Sequence, residues 1–93
     1  MAVDVHVVTP DRTVWAGEAS MVVARGRDGE VGVLAGHAPL LVRLAEGPLR
    51  LEREGRWETF GVEGGFLHVT SSEGRTRVDV LATAVTATEG SAA

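Results

Sequence analysis

Apolar residues recur at every second position in short runs, and this periodicity limits the possible folds more than any other feature of the chain. Val3-Asp4-Val5-His6-Val7 sets three valines on one side and Asp4 and His6 on the other, the pattern of a strand buried on one face. The same alternation predicts strands near residues 14–16 and 19–24, and at 31–34, 40–44, 49–52, 57–62, 66–70 and 77–81. Turn-forming clusters separate the later ones: Arg27-Asp28-Gly29, Glu46-Gly47-Pro48, Glu54-Gly55-Arg56, Glu63-Gly64-Gly65 and Ser72-Glu73-Gly74. Many short strands joined by tight turns pack as an antiparallel sandwich or barrel, so the fold class expected is all-β.

Helix has little foothold, because no window carries apolar residues at i, i+3, i+4 and i+7 over three turns. The candidate is the Ala-rich stretch 81–88, where the β-branched Thr83, Val85, Thr86 and Thr88 leave at most one helical turn. The small, polar residues from Glu89 to Ala93 are expected to fray. Ninety-three residues suffice for one hydrophobic core. The division expected is a single domain over residues 1–84 and a short tail over 85–93.

Several chemistries are excluded by what the chain lacks. It has no Cys, hence no disulfide and no thiolate ligand or nucleophile, and all nine basic residues are Arg. Without Lys there is neither a Schiff base nor a phosphate-loop lysine. A formal charge of −4 argues against nucleic-acid binding. No apolar run approaches the roughly 20 residues of a membrane-spanning helix, and no basic-then-apolar leader follows Met1, so neither membrane insertion nor secretion is expected. His6, His37 and His68 lack metal-ligand spacing, the serines lack a nucleophile-elbow setting, and the carboxylates follow a solvated-face pattern. The expectation is no catalytic residue, no metal and no cofactor. Residues 26–32 read as a hairpin, since the spacing of a dinucleotide-binding loop is missing.

Four apolar residues fall on the parity opposite to their strand's core set: Val22, Leu41, Phe66 and Leu81. They are expected on an outer face, where they are either scattered apolar surface or a patch that docks another protein.

A more specific indication lies in Gly29-Glu30-Val31-Gly32-Val33-Leu34-Ala35-Gly36-His37-Ala38-Pro39-Leu40-Leu41. This segment resembles the epsilon subunit family of F-type ATP synthases, with its Gly-Glu-apolar-Gly followed by Gly-His-Ala-Pro-Leu. Gly64-Gly65-Phe66-Leu67-His68-Val69 is similar to the family's second marker, and Val5-His6-Val7-Val8-Thr9-Pro10 suits its first strand. The resemblance covers about residues 3–84 and departs at Ala35, where the family usually has Pro. It implies an antiparallel β-sandwich of about ten strands in a non-catalytic central-stalk subunit. Such a subunit would bind gamma and sit on the loops of the c-ring, as a peripheral part of the complex at the cytoplasmic face of the bacterial plasma membrane. By the same resemblance His37, Ala38, Pro39, Leu40 and Leu41 lie at the gamma contact and Asp28, Gly29 and Glu30 towards the c-ring. The family's C-terminal helical hairpin, with its ATP-binding motif, has no counterpart here, so no ATP binding by that route is expected. The isolated chain is expected to be a monomer. A free-standing β-sandwich interaction module in another assembly is the alternative, and a small hydrolase or metal enzyme comes third.

Overall fold

The computed structural model describes residues 2–87. It contains strands β1 (Val3–Thr9), β2 (Arg12–Ala19), β3 (Met21–Gly26), β4 (Gly29–Val33), β5 (Leu40–Arg53), β6 (Arg56–Val62), β7 (Gly65–Ser72), β8 (Arg75–Ala82) and β9 (Val85–Ala87). No helix among the described residues is long and apolar enough to cross a membrane. The hydrogen-bonded order is β2-β1-β8-β7-β5-β3-β4, with β6 joined to β5 and β9 joined to β6.

Strand β5 makes this path a sandwich. Its first part pairs with β7, Leu41 against His68, whereas its last part pairs with β3 and β6, Leu49 facing Ala24 and Phe60. One layer is therefore β2-β1-β8-β7 with the start of β5, and the other is β4-β3, the end of β5, β6 and β9. The alternation explains what lies between them. Val3, Val5 and Val7 of β1, Leu49 and Leu51 of β5, Leu67 and Val69 of β7 and Val78 and Val80 of β8 all face inward and are at most 1% exposed. Burying each contributes about 1.5 to 3 kcal/mol.

Three expectations are corrected. The cluster Glu46-Gly47-Pro48 reads locally as a turn between two strands, but β5 runs straight through it. Between the pairs Ala24 with Leu49 and Gly26 with Leu44 only Arg25 faces residues 45–48, so the strand bulges there while it changes layer. Pro48, having no N–H, is tolerated at such an irregularity. The sandwich is also not wholly antiparallel, because β1 and β8 run parallel, Val5 against Val78. Finally, the stretch given at most a helical turn holds strand β9, paired with β6 through Thr86 and Gly61. The sandwich thus has nine described strands and extends beyond residue 84; the rest of the expected tail, 88–93, lies outside the described residues.

The parity of β3 is corrected as well. Met21, Val22, Val23 and Ala24 are all apolar, so alternation alone does not orient them. Val22 and Ala24 point into the core, at 0% and 2% exposure. The exposed Arg25 shares its parity with Met21 and Val23 and marks their side as the outer one.

One flank between the layers is closed by aromatic packing. Trp15 of β2 meets Phe60 of β6 with ring centroids 6.5 Å apart. The Arg53 guanidinium lies 5.4 Å from the Trp15 ring centroid and is held there by Glu58 at 3.0 Å. The indole lies back over Gly17, where a Cβ would come within 3.0 Å of it. Gly17→Val is therefore expected to push the indole away at a cost of about 1 to 2 kcal/mol. In a Trp57→Phe background, red-shifted tryptophan emission together with an equal fall in denaturation free energy would show this; unchanged emission would refute it.

Candidate docking face

The strand register decides which outward side chains are neighbours. On the outer face of the first layer, Phe66 stands directly opposite Arg43 on one side and Leu81 on the other. Leu81 in turn stands opposite Val8 of β1. One step along, Leu41 is opposite His68, His68 opposite Asp79, and Asp79 opposite His6. Cross-strand neighbours of this kind have Cβ atoms about 5 Å apart, and diagonal ones remain in reach of long side chains. Phe66, Leu81 and Val8 therefore form a continuous apolar row, with Leu41 diagonal to Phe66. Leu41, Leu81 and Phe66 are 63%, 48% and 42% exposed. Val8, Phe66 and Leu81 line a shallow groove of about 400 Å³.

The neighbouring rows are charged. Asp79 accepts hydrogen bonds from Arg77 Nε at 3.0 Å and Nη2 at 3.0 Å. These bonds, and then the carboxylate's charge, hold the Arg77 pKa above its ordinary value. Arg75 lies 3.7 Å from Asp4. The face thus joins an apolar row to a hydrogen-bonded ionic one, a composition suited to specific association. Among the described residues no three His, Asp or Glu side chains are grouped to hold a metal ion.

A second groove, of about 330 Å³, lies between the tip of the β3–β4 hairpin and the start of β5. Asp28, Gly29 and Glu30 form one wall and Leu40, Leu41 and Arg43 belong to the other. The Arg27 N–H donates to the Arg43 carbonyl at 2.9 Å and fastens the hairpin there. Glu30 is 3.5 Å from Arg50, an exposed pair that contributes little stability. The two segments assigned by resemblance to different partners are therefore adjacent on this chain.

The loop before β5 presents the remaining expected residues. Ala38 and Pro39 are exposed, His37 is half-buried, and Leu40 packs against the core. His37 Nδ1 lies 2.7 Å from the Ala38 carbonyl oxygen. The His37 N–H donates to the Leu34 carbonyl at 3.1 Å, and the Gly36 N–H donates to Thr76 Oγ1 at 2.7 Å. Of the four expected patch residues, Leu41, Phe66 and Leu81 share the outer face and Val22 does not, since it is in the core. Val8 was missed, although the doublet Val7-Val8 breaks the alternation and could have signalled it. Thr76 was missed too, and its link to Gly36 leaves no trace in local sequence.

Residues 2–88 match the model of the ATP synthase delta/epsilon chain β-sandwich domain. The ATP synthase epsilon chain of Desulforudis audaxviator is 49% identical over 80 residues, 86% of this chain and 56% of that relative. The epsilon chain of Frankia casuarinae is 49% identical over 71 residues, 75% of this chain and 84% of the relative. The chain thus spans little more than half of the Desulforudis relative but most of the Frankia one. A chain in the cryo-EM structure of the Euglena gracilis mitochondrial ATP synthase, OSCP/F1/c-ring in rotational state 1, superposes with a TM-score of 0.84 at 27% identity, covering 92% of this chain and 53% of that one.

Proposed function

We propose that this chain, which belongs to the ATP synthase delta/epsilon chain β-sandwich family, serves as a non-catalytic subunit of an F-type ATP synthase rotor, joining gamma to the c-ring. The observation that carries the reading is the row Phe66-Leu81-Val8 with Leu41 beside it, an apolar surface built by four strands without helping the core. Gamma is assigned to this face and to residues 37–41, the c-ring loops to the exposed hairpin tip at Asp28, Gly29 and Glu30. Adjacency of the two segments across one groove suits a subunit clamped between two partners. It would lie at the membrane periphery, on the cytoplasmic face in a bacterium.

The task of such a part is mechanical. A close-packed interior deforms little under load, and here a single strand, β5, runs through both layers. Force applied at one face therefore reaches the other through hydrogen-bonded ladders and a shared core.

The test is co-elution of the folded chain with gamma from the same organism on size-exclusion chromatography, followed by calorimetry. A one-to-one complex is expected. No complex would remove the rotor reading and leave a sandwich that docks elsewhere. Glu30→Lys reverses a charge at the hairpin tip and is expected to weaken pull-down of an assembled c-ring by about tenfold, with gamma affinity changed less than about twofold. Equal losses for both partners would refute the division of the surface.

A further inference from the structure

We propose that Thr76 is a positioning residue, whose hydroxyl holds the loop at Gly36 so that residues 37–41 are presented to a partner in one conformation. The proposal rests on the docking reading above and deepens it. Strand β8 points Thr76, Val78 and Val80 to the same inner side, and Thr76 is 3% exposed, the one buried polar side chain among the described residues. Valine is the apolar isostere of threonine and would fill that space, so packing gives no reason for a hydroxyl. The Gly36 amide does: it donates to Thr76 Oγ1 at 2.7 Å, across forty positions of sequence.

The geometry makes this bond a tether. Thr76 is fixed between Val3 of β1 and Ser71 of β7, within the ladders of the first layer. Gly36 belongs to the segment between β4 and β5, which has no ladder of its own. That segment's own backbone contact is the short-range bond from His37 to Leu34. The Thr76 bond thus ties the segment to the same layer whose outer face carries Phe66 and Leu81. Four residues after His37 the chain reaches Leu41, already outward and paired with His68. Fixing Gly36 sets the path of His37, Ala38 and Pro39 between two anchored points, so a partner does not have to order them on binding.

Thr76→Val removes the acceptor at constant shape, and Thr76→Ser restores it. Amide hydrogen exchange of the full chain is measured by NMR, beside calorimetric titration with gamma. In Thr76→Val the Gly36 amide is expected to exchange about tenfold faster, while amides of β1 and β8 stay protected. Gamma affinity is expected to fall about fivefold to tenfold, and Thr76→Ser to recover both. Unchanged Gly36 exchange would overturn the tether. Faster exchange with unchanged gamma affinity, in a titration where Leu41→Asp does weaken binding, would overturn positioning and leave the docking face intact. A wild-type chain that ignores gamma would overturn the docking reading instead, and the exchange data would still decide whether Thr76 holds the loop.

Discussion

Gly65→Ala is expected to bring the domain close to unfolding, with a loss of about 4 kcal/mol or more and a fall in Tm of about 20 °C. Gly65 opens β7 at φ +115°, and a Cβ there would sit 2.1 Å from the Leu81 carbonyl oxygen and 2.8 Å from the Ala82 Cα. Both are backbone atoms of β8, paired with β7 through Gly65 with Ala82 and Phe66 with Leu81. They cannot rotate aside as a side chain would. Room for one methyl group requires opening the end of the β7–β8 ladder, where the apolar row of the outer face begins. Gly74→Ala separates conformation from collision, since Gly74 has φ +76° but nothing within 4 Å of its added Cβ. It is expected to lose only about 1 to 2 kcal/mol. Equal losses for the two in chemical denaturation would show that β8 yields easily at this point.

The second glycine of the family marker, Gly65, thus has a physical reason that the sequence alone could not supply, because the atom that forbids a side chain is on another strand. The same boundary runs through the rest of the fold. Strand β1 was legible because Val3, Val5 and Val7 alternate with polar residues. Strand β5 is not legible as one strand, because Gly47-Pro48 has the local composition of a turn, and only its exchange of partners, β7 for β6, makes it continuous. Residues 85–87 have weak preferences of their own, and pairing of Thr86 with Gly61 decides them as strand. Leu41, Phe66 and Leu81 were legible as misplaced apolar residues. Their contiguity was not, since it follows from long-range register, and Val8 joins the row only through the parallel pairing of β1 and β8. Val22 shows the limit of parity within an all-apolar run, where the outward Arg25 was the better marker.

Leu41→Asp is the corresponding experiment on the face itself, expected to leave the fold intact while reducing gamma affinity by at least about 100-fold, close to 3 kcal/mol. Leu41 is 63% exposed in the free chain, so replacing it removes little core contact. In the complex its position would be shut off from water, and a carboxylate there would be desolvated beside Phe66 and His68. A desolvated charge without a partner costs several kcal/mol. Leu41→Ala loses apolar area without adding charge, so it is expected to weaken binding by only about tenfold. Phe66→Asp, diagonal to Leu41 on the same patch, is expected to act like Leu41→Asp. The double variant should lose less than the sum of the two, because residues sharing one interface are not independent. An unchanged Tm for Leu41→Asp separates this effect from unfolding. Gamma binding at wild-type strength by both Asp variants would move the contact off this face. Additive losses would instead place Leu41 and Phe66 in separate contacts.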